Sequence, residues 1–433
     1  KEIQALRMEK EILIDGILEE PVWSRAAIST GFIQQEPRPG NPASEKTEVR
    51  ILYDENNLYI GVICFDSDGR RGVIVNDLAR DFDEREDDVF EVVLDTFNDN
   101  QNGFLFATNA RGAKFDAQVT NDGSSVNEDW DTIWAVQSHI TEEGWQTEIA
   151  IPFKTLRFGG QENQVWGINF MRRIRRKAEE VYWTPLPQPF RLSRVSMAGS
   201  LNGISGVRQG RNLYIKPYIK VPLSRLENDD VDLQPDAGLD IKWALTSQLT
   251  LDLTANTDFS QVEADEEQVN LTRFSLFFPE KREFFLENAG FFGFGEGVGV
   301  RRRGGGGGRS DLIPFFSRRI GVSGGNLVPI LGGARLTGRA GAFTLGVLGM
   351  QSDDFDEEPS TNFSVVRVRR DLMDNSNMGV LFVNKEGGNH FNRTYGVDGN
   401  FNFLRYLNLT SFLLKTETPG LSGNDGAGKF EMG

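Results

Sequence analysis

Short apolar segments of strand-type residues, separated by clusters of turn-forming residues, run through the sequence and constrain its fold more than any other feature. In the first half, TEVRILYD (47–54) and NLYIGVICFD (57–66) flank a turn at Glu55-Asn56, which predicts a hairpin. Five more segments of this kind are VFEVVLD (89–95), GFLFATN (103–109), IWAVQSH (133–139), WQTEIAI (145–151) and WGINFMRRI (166–174). Several short strands with few helical stretches favour an antiparallel β-sandwich over an α/β fold.

The composition changes near residue 206, which indicates two domains. Residues 1–205 hold 22 Lys and Arg against 34 Asp and Glu, a net charge of −12, whereas residues 206–433 hold 25 against 29. Glycine rises from 15 to 32 and phenylalanine from 12 to 20 across this boundary. The whole chain carries −16, which argues against nucleic acid as a partner because phosphate binding requires a surplus of Lys and Arg. A single cysteine and two histidines exclude an internal disulfide framework and a multi-histidine metal centre.

From residue 212 onward, polar and apolar residues alternate over segments of about ten residues, the length at which a tilted strand crosses a bilayer. In QLTLDLT (248–254), the three leucines point to one side of a strand, and the two threonines and the aspartate point to the other. Eight further segments of this kind are 212–221, 235–243, 330–339, 341–351, 361–370, 376–385, 397–403 and 406–416. These strands predict part of an outer-membrane-type antiparallel β-barrel with a polar interior. A soluble β-sandwich or a solenoid is the alternative fold.

The number of these strands bears on whether the barrel is complete. About nine strands, with KFEMG (429–433) as the start of another, do not make the even-numbered closed barrel of bacterial families. Open strand edges inside a bilayer would be costly, because their backbone groups find no hydrogen-bond partner in lipid. We therefore expect the 433 residues to be a fragment of a longer chain, with part of the barrel missing.

Four ordered motifs in the first half resemble the pattern of carbohydrate-binding module family 9. They are IDGILEEPVW (14–23), LYIGV (58–62), DDVFEVVLD (87–95) and GWQTEIAIPFKTLRF (144–158). The resemblance covers roughly residues 11–205 and implies a β-sandwich module of a kind found attached to polysaccharide-processing proteins. We therefore expect residues 1–205 to form a family 9-like β-sandwich whose partner is a polysaccharide or oligosaccharide.

The resemblance also implies where sugar would bind. The family's binding glutamate falls on Glu91, and the positions of its two stacking tryptophans are matched by Arg85 and Phe190. Flat aromatic faces stack on a pyranose, and charged or amide groups bond its hydroxyls, so Trp130 and Trp183 are further candidates. Because the two tryptophans of the family pattern are replaced, a degenerate sugar site with a structural or assembly role, contacting partner proteins of the outer membrane, is an alternative.

The acidic run DFDEREDD (81–88) has three interpretations. It is a solvated loop, or it binds calcium through Asp87 and Asp88, because clustered carboxylates suit a hard cation. Alternatively, Asp88 and Glu91 form the carboxylate pair of a glycoside hydrolase acting on O-glycosyl bonds. Apart from calcium, no cofactor is predicted. The basic run RRIRRK (172–177) predicts salt bridges to the module's own acidic loops.

One segment interrupts the alternating strands of the second half. Residues 258–297, with VEAD, FFPEKR and FFLE, are similar to the signature of an uncharacterised bacterial family in which a family 9-like module precedes a predicted outer-membrane barrel. We expect residues 257–329 to form an inserted loop or a plug of the barrel, or to lie where the module meets the barrel mouth. The glycine- and arginine-rich stretch 297–311 is expected to be a surface loop.

These observations predict an all-β protein with an antiparallel β-sandwich over residues 1–205 and part of an outer-membrane barrel over residues 206–433. The predicted function is non-catalytic glycan recognition or uptake in carbohydrate catabolism. The predicted location is the outer membrane of a Gram-negative bacterium, with membrane lipid as a second partner and the module periplasmic or extracellular. Hydrolysis of O-glycosyl bonds is the alternative if the protein is an enzyme.

Overall fold

The computed structural model describes most of the chain as β-strands in two compact units, Lys1–Gly210 and Arg211–Gly433. The described residues are 1–10, 12–207, 213–220, 223–225, 231–233, 236–246, 248–257, 280, 282–295, 312–323, 326–355, 359–373, 376–403, 407–421, 423 and 425–432. The predicted surface loop at 297–311 lies outside them, as do VEAD and most of FFPEKR.

The first unit contains fourteen strands and one short helix. The strands are β1 (Glu2–Gln4), β2 (Leu6–Arg7), β3 (Ile33–Glu36), β4 (Thr47–Tyr53), β5 (Asn57–Phe65), β6 (Val89–Asp95), β7 (Gly103–Asn109), β8 (Lys114–Thr120), β9 (Ser125–Asn127), β10 (Ala135–Thr141), β11 (Gly144–Pro152), β12 (Asn163–Ile174), β13 (Glu179–Tyr182) and β14 (Gly199–Ser205). The helix is α1 (Pro21–Arg25), and 3-10 turns occur at Gly69–Arg71, Phe153–Thr155, Arg175–Lys177 and Val195–Met197. All seven strands predicted from the first half are confirmed, within a few residues at their ends.

Two sheets pack against each other in this unit. One has nine strands in the order β1-β14-β12-β6-β7-β8-β9, with β13 beside β12 and β3 beside β13; the other has five, in the order β10-β11-β5-β4-β2. The antiparallel sandwich expected from the sequence needs one correction, because β1 runs parallel to β14 and β2 runs parallel to β4. Since β1 and β2 follow each other in the chain but join different sheets, this N-terminal segment fastens the two sheets together.

The core between the two sheets follows from the alternation of the strands. In β6, Phe90, Val92 and Leu94 point into this core, where they meet Ile60 of β5. Burying an aliphatic or aromatic side chain of this size stabilises the fold by about 1.5–3 kcal/mol. Cys64 lies in the same core, and burial raises the pKa of its thiol to about 12, so it is an unreactive structural thiol.

The motif IDGILEEPVW is fastened to the outer side of the five-stranded sheet by one buried carboxylate, that of Glu148 in β11. Its Oε1 accepts a hydrogen bond from Nε1 of Trp23 at 2.9 Å. Its Oε2 accepts the backbone N–H groups of Asp15 and Gly16, each at 3.0 Å. The ring of Trp23 lies over Gly61, where an added Cβ would come within 2.7 Å of it. The motif is therefore a structural cover of the sandwich.

Among its described residues, the second unit contains fourteen further strands, ten of which form one antiparallel sheet. They are β15 (Leu213–Lys220), β16 (Leu223–Arg225), β17 (Val231–Leu233), β18 (Asp236–Ala244), β19 (Leu249–Ala255), β20 (Val322–Ser323), β21 (Asn326–Leu327), β22 (Ile330–Ala340), β23 (Phe343–Ser352), β24 (Thr361–Met373), β25 (Ser376–Gly387), β26 (His390–Phe403), β27 (Leu407–Glu417) and β28 (Gly426–Met432). The short elements are α2 (Glu283–Leu286) and 3-10 turns at Ala289–Phe292 and Ser317–Arg319. The nine predicted strands are confirmed, and β28 is the tenth that KFEMG predicts.

The ten-stranded sheet runs in the order β15-β18-β19-β22-β23-β24-β25-β26-β27-β28, and two small hairpins, β16-β17 and β20-β21, lie apart from it. Among the described strands, β15 and β28 are the two edges of this sheet, so a closed barrel is not seen there. Within the described part of the chain, no helix is long and apolar enough to span a membrane.

The two faces of the ten-stranded sheet differ in burial. We call the face that carries Asp252 and Arg335 the covered face, and the opposite face the exposed face. Arg335 is 1% exposed, whereas Leu413, on the exposed face, is 66% exposed. The predicted alternation is confirmed on the exposed face, which carries large apolar side chains. The covered face carries charged and hydroxyl side chains and also a buried apolar cluster that includes Leu348, Met350 and Leu381.

A segment that includes α2 lies on the covered face of this sheet. We call this segment, Arg282–Gly295, the covering segment. Asn288 Nδ2 donates to Oγ1 of Thr337 at 3.1 Å, and Arg367 Nε donates to the backbone oxygen of Gly293 at 2.9 Å. The described part of FFPEKREFFLENAGFFGF is thus packed against the sheet within the second unit.

Candidate functional site

The outer side of the nine-stranded sheet collects most of the residues that the sequence proposes for sugar binding. In β6, Glu91 points away from the core between the two sheets, toward a second hydrophobic cluster. Two loops close over this side: the acidic loop (81–88) and a loop with three prolines (184–195), which we call the proline loop. Phe82 of the acidic loop and Leu186 of the proline loop are buried in that second cluster, which holds both loops on the sheet.

Glu91 is the buried centre of a charged cluster between these two loops. Its neighbours are Glu84, Arg173 and Glu180. Burial raises the pKa of Glu91 well above its ordinary value, the charges of Glu84 and Glu180 raise it further, and Arg173 lowers it. The fold therefore favours the neutral form of Glu91, which shares a hydrogen bond with the side chain of Glu84.

Arg173 of β12 connects the acidic loop to β13. Its Nη1 donates to the backbone oxygen of Glu84 at 2.8 Å, and its Nη2 donates to Oε1 of Glu180. Arg191 of the proline loop approaches Oε2 of the same Glu180 at 3.4 Å. Because Arg191 is exposed, this ion-pair network reaches from the buried Glu91 to the surface of the domain.

The remaining two loop candidates lie on the same pair of loops. Phe190 is half-buried, its backbone oxygen accepts a hydrogen bond from Gln35 Nε2 at 2.8 Å, and Cζ of Arg194 lies 4.7 Å from its ring centroid. Arg85 is exposed and follows Glu84 in the acidic loop. Arg85 and Phe190 therefore belong to the two loops that the ion-pair network connects, and Glu91 belongs to β6.

Trp130 and Trp183 lie elsewhere, in the core between the two sheets. The ring centroid of Trp130 is 5.2 Å from that of Phe104, and the ring centroid of Trp183 is 5.4 Å from that of Phe170. Both indoles are buried, so they contact protein where a sugar platform needs an open face. The polar surroundings of Trp130 in NEDWDT suggest a surface position, but its ring turns inward between exposed neighbours.

The carboxylates of Asp87 and Asp88 fix neighbouring loops. Asp87 accepts the backbone N–H of Asn76 at 2.6 Å and the side-chain amide of Asn109 at 2.8 Å. Asp88 accepts the backbone N–H of Ile74 at 2.6 Å, and burial raises the pKa of this carboxyl to about 6. Calcium needs several oxygens that face the ion. Because these oxygens already accept N–H groups, Asp87 and Asp88 do not fit a calcium site.

The pairing of Asp88 with Glu91 as glycosidase carboxylates is not supported by this geometry. The side chain of Asp88 accepts backbone N–H groups, whereas that of Glu91 contacts Glu84 and Arg173. Both carboxyls are buried, whereas hydrolysis requires a substrate and a water molecule between the two groups.

A group that the sequence does not indicate brings Asp81, Asp116 and Asp131 within 4.8 Å of one another. Arg80 lies against it, with Nη2 2.5 Å from Oδ1 of Asp116 and Nε 2.6 Å from Oδ1 of Asp131. The single positive charge of Arg80 is shared by ion pairs with Asp116 and Asp131, so the arrangement contains an ion-pair cluster. Its members come from separate segments, and no local spacing signals it.

The prediction for the basic run RRIRRK is confirmed. Arg176 donates to Oδ1 of Asp66 at 2.8 Å and to Oε1 of Glu45 at 2.7 Å. Lys177 donates to the same Oε1 of Glu45 at 2.5 Å. These contacts join the segment that follows β12 to the loops after β3 and β5. The basic run therefore forms salt bridges within its own domain.

Comparison with known families assigns two regions of the chain. Residues 14–179 match the family described as carbohydrate family 9 binding domain-like, and residues 211–326 match a domain of unknown function, DUF5916. No curated protein matches the chain.

Solved structures of family 9 modules are similar to about half of the chain. A carbohydrate binding module family 9 from Caldicellulosiruptor kristjanssonii in complex with cellotriose is 15% identical, covering 48% of this chain and 96% of that one, with a TM-score of 0.36. A carbohydrate binding module family 9 from the same organism in complex with glucose is also 15% identical, covering 48% of this chain and 100% of that one, with a TM-score of 0.34. On the two family matches, the chain carries a carbohydrate family 9 binding domain-like domain over residues 14–179, followed by a DUF5916 domain over residues 211–326.

Proposed function

We propose that this protein recognises glycans without catalysing a reaction on them, and that residues 1–205 bind a polysaccharide or oligosaccharide. The observation that carries the proposal is the match of residues 14–179 to the carbohydrate family 9 binding domain-like family. The buried positions of Asp88 and Glu91 favour binding over hydrolysis.

The binding surface in this proposal is the pair of loops that covers the outer side of the nine-stranded sheet. Arg85 and Arg191 present exposed guanidinium groups, which can bond sugar hydroxyls, and the half-buried ring of Phe190 supplies apolar contact. Glu91 contributes indirectly, because it contacts Arg173, which connects the acidic loop to Glu180 of β13, and Arg191 of the proline loop contacts the same Glu180. Glu91 is thus a positioning residue.

We further propose that residues 206–433 are part of an outer-membrane barrel. The supporting observation is the placement of side chains on the ten-stranded sheet, where large apolar residues are exposed and charged residues are covered. That arrangement is costly in water, whereas lipid-facing strands require it. The proposed location is the outer membrane of a Gram-negative bacterium, with lipid against the exposed face and the module periplasmic or extracellular. Glycan recognition would then serve uptake in carbohydrate catabolism.

Calorimetric titration of the full chain with a panel of plant and microbial polysaccharides tests the binding proposal. We expect at least one neutral glycan to bind, and Arg191→Ala and Phe190→Ala each to weaken that binding about tenfold. Arg70→Ala is the matched control, because Arg70 is an exposed arginine outside both loops that contacts Glu142. Absence of binding to every glycan, or equal losses for Arg70→Ala, would contradict the proposal.

Detergent dependence tests the membrane proposal separately. We expect the full chain to require detergent or lipid to stay monomeric, because the exposed face presents large apolar side chains. If the chain is monomeric in water without detergent, the barrel proposal is wrong. The proposal that the first unit binds sugar would be unaffected by that result.

A further inference from the structure

The covering segment packs on the sheet with its aromatic rings directly over glycines. Phe292 lies over Gly346, where an added Cβ would be 3.0 Å from Cε1 of the ring. Phe294 lies over Gly396, where an added Cβ would be 2.6 Å from Cε2. Both glycines point to the covered face, and any larger residue there would displace a ring. The segment is therefore docked at a defined position.

The segment also brings two carboxylates to two lysines of the covered face. Glu283 Oε2 accepts from Nζ of Lys216 of β15 at 2.7 Å, and Glu287 Oε2 accepts from Nζ of Lys242 of β18 at 2.6 Å. The two contacts fix the α2 end of the segment to neighbouring strands. Ion pairs thus hold the α2 end of the segment. At its C-terminal end, the rings of Phe292 and Phe294 pack over Gly346 and Gly396.

The covered face beneath the segment has an excess of positive charge. Ten charged side chains are buried or half-buried there between β15 and β26, and we call them the charged patch. They are Lys216, Asp240, Lys242, Asp252, Arg335, Arg339, Arg367, Arg369, Asp371 and Asp398. Six cations against four carboxylates give the patch a net charge of +2, opposite in sign to the −16 of the whole chain. The carboxylates of Glu283 and Glu287 offset this excess.

Within the patch, Arg335 has a buried donor atom without a partner among the described residues. Arg335 donates through Nε and Nη2 to Oδ2 of Asp252, at 3.1 and 2.8 Å, while its Nη1 is buried with no hydrogen-bond partner among the described residues. Oγ1 of Thr344, on the same face, is in the same condition. Buried polar groups left unpaired cost about 1–3 kcal/mol each, so such groups indicate a place where a polar ligand or solvent enters.

We propose that the charged patch binds an anionic saccharide, one that carries carboxylates, and that the covering segment competes with it by placing Glu283 and Glu287 on Lys216 and Lys242. The chemistry is suitable because ammonium groups and an arginine fork both bind carboxylates, and the fork of Arg335 has one N–H side unused. The inference rests on the proposed function, since it names the class of glycan that would pass from a sugar-binding domain to the second unit.

Competition gives a direct test with the full chain in detergent. Titration with trigalacturonic acid and with maltotriose compares two three-ring sugars that differ in carboxylates. We expect Glu283→Gln/Glu287→Gln to bind trigalacturonic acid about tenfold more tightly than the unmodified protein, with no change for maltotriose. The matched control is Glu386→Gln/Glu417→Gln, two exposed carboxylates of β25 and β27 outside the charged patch.

A second measurement does not depend on the variants folding well. Hydrogen exchange of the amides of residues 282–295 in the unmodified protein should accelerate several-fold with trigalacturonic acid and stay constant with maltotriose, because only the acidic sugar displaces the segment. The inference is overturned if the segment's exchange is unaffected, or if the double variant gains no affinity for the acidic sugar. Loss of neutral-glycan binding in Arg191→Ala bears only on the loops of the first unit, so the two proposals fail independently.

Discussion

The two units of this protein differ in how many large apolar side chains their sheets expose. In the sandwich, large apolar residues such as Val92 and Trp166 are 0% exposed, between two sheets. In the ten-stranded sheet, Leu413 and Phe430 point outward, while Arg335 and Asp252 form a buried ion pair at 2.8 Å. Both units are built from alternating strands, so the alternation alone does not decide which face is hidden.

The difference in exposed apolar side chains indicates which medium each sheet contacts. A sandwich in water hides its apolar faces against each other, because removing apolar surface from water drives folding. The ten-stranded sheet gains from this effect only where the covering segment packs on buried residues such as Leu348 and Leu381, and the apolar side chains that it exposes gain nothing from it in water. Its buried charged groups need partners. The second unit meets that need with ion pairs such as Arg367 with Asp398 and with the covering segment. The first unit needs no apolar environment outside itself.

The largest expected effect comes from truncating one tryptophan in each unit. Trp166 is 0% exposed and its ring lies 5.4 Å from that of Phe158, whereas Trp243 is 47% exposed on the ten-stranded sheet. We expect Trp166→Ala to lower the free energy of unfolding by about 3–5 kcal/mol, through lost burial and a cavity. Trp243→Ala in detergent should change it by less than about 1 kcal/mol. Urea unfolding followed by circular dichroism measures both, and equal losses would contradict the comparison.

A charge on the exposed face tests which medium that face requires. Val397 lies on the exposed face of β26. In lipid vesicles we expect Val397→Lys to reduce the stability of the inserted protein by about 2–4 kcal/mol, the cost of a lysine facing lipid near the bilayer centre. Val397→Leu is the control. If insertion and stability are the same for both variants, the exposed face does not meet lipid and the contrast between the units needs another explanation.

The packing of the covering segment over glycines predicts a smaller change in the free energy of unfolding. Gly396→Ala places a methyl group where the ring of Phe294 now lies, which should cost about 1–3 kcal/mol and release the segment locally. Gly349→Ala is the matched control, because an added Cβ there has nothing within 4 Å. Thermal unfolding and hydrogen exchange of residues 282–295 measure the change. A fully protected segment in Gly396→Ala would show that the ring position does not depend on the glycine.

Most strands of both units could be predicted from the sequence, because period-two alternation and turn residues are local signals. The alternation also predicted a polar face in the second unit. Contacts between distant segments could not be predicted: Arg173 meets Glu84 across 89 residues, and β1 pairs in parallel with β14. The candidate site shows the same division. Glu91 could be placed on a strand, but the neighbours that keep it neutral come from another loop and strand.

The smallest expected effect concerns pH and belongs to the sandwich. Burial raises the pKa of Asp88 and Asp116 to about 6, and burial, with the nearby charge of Asp99, raises that of Asp95 to about 7. A carboxyl whose folded pKa exceeds its unfolded value stabilises the fold below the unfolded pKa, near 4, and loses that contribution as the pH rises to the folded value. These three groups therefore make the sandwich less stable at pH 7.5 than at pH 5.

Other carboxyls make the sandwich less stable in more acidic solution, below about pH 4.5. Burial raises the pKa of Glu48, but hydrogen bonds from Lys46 and Arg50 outweigh it and bring the pKa below the ordinary value. Its contribution is present above about pH 4.5 and is lost in more acidic solution. We therefore expect the melting temperature of the first unit, followed by tryptophan fluorescence, to be highest near pH 5 and several degrees lower at pH 7.5. Asp88→Asn should flatten this fall, because the amide stays neutral throughout. If the melting temperature of Asp88→Asn fell with pH as steeply as that of the unmodified protein, burial would not raise the pKa of Asp88. The pH dependence would then no longer distinguish the two units.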